Sequence, residues 1–493
     1  MTVLSTRGTA LVRRPEAGTP LRIAESALSV DSTVASLDDF LTWFADYGRR
    51  AYTDVERIPL ADLQGWSSDP ATGNLHHHTG KFFSIEGLDV HVDGAAVTDW
   101  SQPIINQPEV GILGILMKEF NGVLHCLMQA KVEPGNRNGL QLSPTVQATR
   151  SNYTGVHRGR SVPYLEHFRA TSRHHVLADV RQSEQGSWFH QKRNRNMIVE
   201  ITEDVEVLDG FAWLTVAQVH QLLALDDVVN MDARTVLSCM PFAGLDLTRP
   251  FAPRGSGFGS SLLRSCSDLA GARHGSEEIL SWITDTRTRN ELTATRIPLN
   301  QITGWHHDDG RIVHHSGRFF DVMGVHVTAR GREISSWTQP MIQPHGTGII
   351  AFLVRDIGGV LHALVHARVE PGYLDVVELG PTVQCTPENY AVLPPEARPP
   401  LLDELLRAPQ ESIRYESIMS EEGGRFYHAQ NRYLIVDSPL DESFDHPDFR
   451  WMALHQLVDL LRHSNYLNVQ ARSLVACLHS LFAGAATNPT TPF

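Results

Sequence analysis

The stretch G-S-W-F-H-Q-K-R-N-R-N-M-I-V-E from Gly186 to Glu200 is written a second time, without gaps, as G-G-R-F-Y-H-A-Q-N-R-Y-L-I-V-D from Gly423 to Asp437. In the first version three cations (Lys192, Arg193, Arg195) and two amides (Asn194, Asn196) stand between an aromatic pair and an apolar run. Alternation from Asn194 to Ile201 predicts that the basic cluster leads into a half-buried strand.

Working outward, the repetition extends over most of the chain. Trp100 in W-S-Q-P pairs with Trp337 in W-T-Q-P, Glu133 in K-V-E-P-G with Glu370 in R-V-E-P-G, and Thr145 with Thr382 in P-T-V-Q, all 237 positions apart. Trp66 and Trp305 are 239 apart, and Trp213 and Trp451 are 238 apart. An offset this steady means tandem duplication of one domain. Each copy opens with a helical segment (Leu37 to Ala51, Glu277 to Asn290) and closes with two more (Thr215 to Leu225 and Asp232 to Met240 in the first). Between them lie strands, including two apolar runs joined by Asn121-Gly122, a hairpin signal that Gly358-Gly359 repeats. The expected fold is therefore α/β or α+β, a mixed sheet flanked by helices in each copy. Residues 1–35 read as a flexible tail, 36–248 and 276–483 as the repeats, 249–275 as a Gly/Ser/Arg/Pro-rich linker, and 484–493 as a frayed end.

The 493 residues are 42% hydrophobic and 20% charged, an ordinary globular balance. A net charge of −14 argues against general nucleic acid binding, so a basic cluster in this background marks a candidate anion site. Five cysteines without C-x-x-C spacing point to a reducing compartment and away from a zinc cluster. With no apolar run of membrane-spanning length, the expected location is cytoplasmic, with no membrane partner.

Chemistry concentrates in Lys131 to Asn152. Lys131 and Glu133 share one face of a strand, as do Thr145, Gln147 and Thr149, and polar residues lined up toward a core line a pocket. Glu133, Lys131, His190 and Tyr153 are the titratable groups at hand. The pairs His77-His78 and His314-His315 point to opposite faces of a strand, which disfavours joint metal ligation, and no metal is expected. Hydrogen bonding within the domain is the better reading. No G-x-G-x-x-G, P-loop or nucleophile elbow is present. Arginine and asparagine beside aromatic rings suit a nucleotide diphosphate.

These motifs together resemble the NDP-hexose 2,3-dehydratases, and S-E-Q-G-S-W-F-x-Q-K-R-N-R-N-M in the first copy is especially similar to that family. The resemblance spans about residues 36 to 483. It implies a Nudix-like domain duplicated within each subunit, a homodimer, and action on dTDP-4-keto-6-deoxy-D-glucose in deoxysugar biosynthesis. The product would be a 3,4-diketo-2,6-dideoxy sugar, passed to a 3-ketoreductase. The Nudix metal box is missing from both copies, which argues against magnesium-dependent hydrolysis. No cofactor is expected, because oxidation at C3 balances reduction at C2. A Nudix-type nucleotide-sugar hydrolase and a non-catalytic nucleotide-sugar binding protein are the competing readings.

Under the resemblance, Glu133 is the expected base, and Lys131, His190 or Tyr153 the acid or enolate donor. Arg193 and Arg195 would hold the diphosphate, with Lys192 and Asn194 nearby, and Trp188 or Phe189 would pack near thymine. Gln147, Thr149 and Asn152 would orient the sugar. Because Ala429 and Gln430 replace Lys192 and Arg193, catalysis is expected in the first copy. The second would keep a weaker pocket around Glu370, Tyr427, His428, Asn431 and Arg432.

Overall fold

The hairpin expected at Asn121-Gly122 forms between Gly111–Phe120 and Val123–Val132, with both turn residues at positive φ (49° and 84°). These twisted-turn angles are what an N-G pair supplies cheaply. The structure is a computed structural model that describes residues 18–32, 34–149, 162–243, 257–330 and 335–487. Around the hairpin grows a seven-stranded mixed sheet in the order His175–Ser183, Arg193–Ile201, Gly111–Phe120, Val123–Val132, Phe211–Thr215. Leu140–Ser143 and Val146–Ala148 pair with its two central strands. Arg193–Ile201 runs parallel to Gly111–Phe120, so the basic stretch does enter a strand. The second repeat builds the same sheet in the order Ile413–Ser420, Gln430–Asp437, Gly348–Ile357, Val360–Val369, Phe449–Ala453. The chain is thus a mixed α/β protein made of two copies of one unit.

Two segments read from composition as irregular are helical. Thr19–Leu28, within the expected tail, buries Ile23, Ala24 and Ala27, and Phe258–Ser265, within the expected linker, buries Leu262 and Leu263. They are one element in two copies. Ser26 donates to the Leu124 carbonyl (2.6 Å) and accepts from the Val216 amide; Ser265 donates to Leu361 (2.5 Å) and accepts from Leu454. Their glycine- and serine-rich surroundings hide helices whose stability comes from packing rather than propensity. The closing helix, Val469–Thr487, likewise runs past the expected end of the second repeat at residue 483.

The repeats do not sit side by side as separate domains. Tyr52–Ile58, from the first, completes the small sheet of the second by pairing with Phe320–Arg330. Leu292–Ile297, from the second, pairs with Ser84–Val92 of the first. One apolar core contains Leu113, Ile115 and Met117 together with Ile350, Phe352 and Val354. Across the boundary, Arg234 donates to Ser420 O and to Ser473 Oγ, and Arg472 donates to Ser183 O and to Thr235 Oγ1. Both guanidinium groups also bond a carbonyl of their own repeat, Val229 O and Leu467 O, and both are fully buried. Substituting Arg472→Met strips buried acceptors of their donor, a loss of roughly 3 kcal/mol. The expected outcome is a lower thermal midpoint for the whole chain in one transition; an unchanged midpoint contradicts this role for the buried arginine.

Candidate active site

The V-E-P-G loops are where the repeats lock together. The Gly135 amide donates to Gly423 O (2.7 Å), and the His428 amide donates to Gly135 O (2.7 Å). Reciprocally, Gly372 donates to Gly186 O (2.8 Å) and Gln191 donates to Gly372 O (2.7 Å). A Cβ at Gly135 would collide with the Phe426 carbonyl, and one at Gly372 with that of Phe189, so only glycine admits this approach. Each pocket therefore takes its loop from the opposite copy.

Beside the first loop lies a buried polar cluster. Gln147 Nε2 donates to Glu133 Oε1 (2.8 Å), and Lys131 Nζ is 3.5 Å from the same oxygen. Asn230 caps the helix Met231–Ser238 by accepting from the Ala233 amide, which leaves its Nδ2 to donate to Gln147 Oε1 (3.1 Å). Asp232, in that helix's first turn, is held well above the usual carboxylate range by burial and by the nearby charges of Glu184, Glu422 and Glu133. From the second repeat comes Glu422, pushed up to about 7 by burial. Lys192 is pulled down to about 8, again by burial, although Glu184 opposes the shift. Asp232 Oδ1, Glu184 Oε2 and Glu422 Oε2 are closed off from solvent without a hydrogen-bond partner. Such orphaned oxygens gathered in one place are what a site built for a polar ligand or for water looks like.

In front of the first V-E-P-G loop opens a cleft of about 340 Å³, lined by Tyr52 and Thr53 of the exchanged strand, by Pro134, Asn136 and Arg137, and by Tyr427 and His428 of the second repeat. Arg57 lies 5.0 Å over the Tyr427 ring, and Arg137 donates to Gln430 Oε1 (3.2 Å).

The second copy differs at the matching positions. Arg368 stands for Lys131 and donates to Glu370 Oε1 (2.7 Å), which also accepts from Gln384 (2.9 Å). Gln470 replaces Asp232, and Gln185 replaces Glu422. Tyr373 replaces Asn136, its ring filling the space where a Cβ on Gly186 would meet it at 2.6 Å. Leu374 and Asp375 stand for Arg137 and Asn138, while Arg296, the counterpart of Arg57, is paired with Glu86 at 3.2 Å.

Several expected site residues are placed elsewhere. Arg195 is engaged in a two-point ion pair with Asp179 (2.6 and 2.7 Å), which lies diagonal to it on the neighbouring edge strand, and Arg432 donates a single bond to Glu416 (2.7 Å). Trp188 and Phe189 pack against Phe426, with ring centroids 4.5 and 5.3 Å away, in the core between the small sheets rather than beside a ligand. His190 lies by Arg296 and Glu86 in the opposite cleft, away from the first repeat's loop. Lys192 faces inward, its ammonium bonded to the Glu109 carbonyl, instead of outward as a phosphate clamp. Arg193 is half-buried, and Asn194 and Asn431 brace Glu184 and Glu421 (2.6 Å each). Thr145 donates to Leu127 O and accepts from the Leu116 amide, a strand-to-strand tie, and Thr149 is half-buried just beyond Val146–Ala148. Asn152 and Tyr153 lie outside the described residues. His77 and His78 bond Thr79 Oγ1 and Gly65 O. Unforeseen were Asp232, Glu184, Glu422, Asn230, Arg57 and Arg137, although three of these six (Asp232, Glu422 and Arg137) change identity between the copies.

Carboxyl groups that hold their protons, facing a lysine that readily gives one up, are the equipment of acid–base catalysis. Residues 37–240 and 276–478 match the family model described as NDP-hexose 2,3-dehydratase. The chain is 52% identical over 463 residues (94% of this chain, 95% of the relative) to the dTDP-4-dehydro-6-deoxy-alpha-D-glucopyranose 2,3-dehydratase of Saccharopolyspora spinosa. It is 49% identical over 469 residues (94% of each chain) to the protein of that name from Amycolatopsis orientalis, and 48% over 450 residues (90% and 97%) to that of Streptomyces violaceoruber. With both repeats matched, the chain belongs to the NDP-hexose 2,3-dehydratase family. Among the described residues no helix is long and apolar enough to cross a membrane.

The Glu422 shift predicts a pH effect. Between its ordinary value of 4.5 and about 7, the folded protein keeps a proton that the unfolded chain has released. Its contribution to stability is thus full below the lower value and is lost as pH rises through the upper one. Glu422→Gln is expected to flatten that decline, as read from urea midpoints on either side of the window; an unaltered slope contradicts the assignment.

Proposed function

We propose that the chain removes water across C2 and C3 of dTDP-4-keto-6-deoxy-D-glucose, leaving a 3,4-diketo-2,6-dideoxyhexose nucleotide. The inequality of the two pockets carries this reading. The first keeps an acid–base cluster behind an arginine-bearing cleft, whereas the second is neutralised by Arg368 and filled by Tyr373. The names of the three relatives support the substrate.

In this mechanism the nucleotide occupies the cleft, with Arg57 and Arg137 at the diphosphate and the Tyr427 ring beside the base. The hexose reaches inward past Pro134 and Asn136. The C4 ketone acidifies the C3 proton, which Glu133 removes, its position fixed by Gln147 and Asn230. Lys131 stabilises the enolate charge, a contribution of about 3 kcal/mol for one well-placed donor. Glu422 or Lys192 then protonates the departing C2 hydroxyl. Water leaves, and the C2–C3 enol takes a proton at C2 as C3 becomes a ketone. C3 is oxidised and C2 reduced, so the step balances within the sugar. The reading includes a Nudix-like ancestry for each repeat, a cytoplasmic homodimer, and a 3-ketoreductase that consumes the labile product.

Glu133→Gln is expected to lower kcat by about 10² to 10⁴, measured by trapping the 2-deoxy product with a 3-ketoreductase. Glu370→Gln should retain turnover within a few-fold, and loss only in the second variant would move catalysis to the other repeat. For binding, Arg137→Ala should weaken dTDP affinity by about tenfold or more, the worth of a charge-assisted bond. Arg195→Ala should leave it unchanged, because Asp179 already engages that guanidinium; equal losses in calorimetry would remove the nucleotide from this cleft.

A further inference from the structure

Away from the site, on the outer rim of the first repeat, three side chains from three elements converge. His167 belongs to the short helix Leu165–Arg169, whose Leu165 and Phe168 are buried against the sheet. The chain turns at Thr171–Arg173, and His174 then enters the edge strand His175–Ser183. That strand pairs antiparallel with Arg193–Ile201, which brings Glu203, two residues past the end of its partner, beside His174. His167 Nδ1 lies 3.4 Å from His174 Nε2 and 3.7 Å from Glu203 Oε1, and His174 Nδ1 lies 3.5 Å from that oxygen.

We propose that His167, His174 and Glu203 bind one zinc-class divalent ion per chain, which pins the helix Leu165–Arg169 to the end of the strand Arg193–Ile201. The spacings favour an ion over a hydrogen-bonded trio. They are long for hydrogen bonds, whose heavy atoms sit about 2.7–3.2 Å apart. One ring nitrogen from each histidine and one Glu203 oxygen lie within 4.8 Å of one another. Small side-chain rotations bring them to the roughly 3.3–3.4 Å separations that a tetrahedral ion with bonds of about 2.0–2.1 Å sets, with His174 contributing a single nitrogen. A second observation concerns burial. The His174 side chain is nine-tenths buried, and its Nδ1 is closed off from solvent with no hydrogen-bond partner. A buried nitrogen left that way costs about 1–3 kcal/mol unless something else meets the ring.

The surroundings fit. Glu166 Oε1 lies 3.9 Å from His167 Nε2, so a small rotation of this exposed side chain would place a carboxylate behind the histidine and leave its other ring nitrogen for a metal. The Lys118 ammonium on this rim is occupied by the carbonyls of Thr202 (2.8 Å) and Glu203 (3.0 Å) and by Asp204 (3.1 Å). Two histidines and a carboxylate leave a fourth position for water, as in many zinc sites. The second repeat has Glu404 and Glu411 where the first has the histidines, and among the described residues no second such group is found. One ion per chain, not two, is therefore expected.

Chelator-treated full-length protein titrated with cobalt should develop the intense visible absorption of a four-coordinate site at one equivalent, and zinc should displace it. Zinc should also raise the thermal midpoint. His174→Ala and the near-isosteric Glu203→Gln should each weaken cobalt binding at least about tenfold, whereas His77→Ala/His78→Ala should bind as the parent does. Neither visible bands nor a midpoint shift in excess zinc, or binding that persists in both site variants, would overturn the proposal.

Discussion

Everything in the site depends on one close approach of backbone to backbone, the amide of Gly135 on the carbonyl of Gly423 and its mirror at Gly372 and Gly186. The contact is possible only because no Cβ stands in the way. Through it Glu422 of one repeat meets Glu133 and Asp232 of the other, and Tyr427 and His428 become walls of a cleft whose floor belongs to the first copy. The proposed catalytic surface is a joint product of two repeats that the chain visits almost 240 residues apart.

The same closeness sets the electrostatics. Burial disfavours charge on Glu422 and Asp232, and the Glu422 carboxylate further raises the cost of ionising Asp232. Lys192 answers in the opposite direction, toward neutrality. A cluster of this kind is suited to exchanging protons near neutral pH. In the second repeat Arg368 lies directly on Glu370, its guanidinium 2.7 Å from the carboxylate. Two sheets of one strand order thus carry differently paired glutamates, Glu133 beside a lysine and Glu370 beside an arginine.

Much of this was legible in the sequence. The offset between Glu133 and Glu370 gave the duplication, Asn121-Gly122 gave the hairpin, and the strand alternation put Lys131 and Glu133 on one face. Side-chain type near a motif gave less. Arg195 and Trp188 looked like ligand contacts, yet strand register turned the first to Asp179 and the core absorbed the second. What no local pattern reveals is which copy's pocket a loop enters. The missed residues share that cause: Arg57 sits on an exchanged strand, Glu422 on a crossing loop, and Asn230 on a helix cap doing two jobs. Comparing the copies position by position, at Asp232 and Gln470 or Arg137 and Leu374, would have flagged three of them before any coordinates.

The exchange of Tyr52–Ile58 for Leu292–Ile297 has a further meaning. A chain holding a single repeat has no edge strand for its own small sheet and no loop to close its own pocket. It reaches a finished fold only by pairing with a second copy of itself, strand for strand. In such a pair both pockets would be equal by symmetry, and any substitution would strike both. Joining the halves in one chain breaks that bond. Tyr373 can fill one pocket while Asn136 keeps the other open, and the second repeat stays indispensable because it supplies a wall, a strand and a buried glutamate to its neighbour.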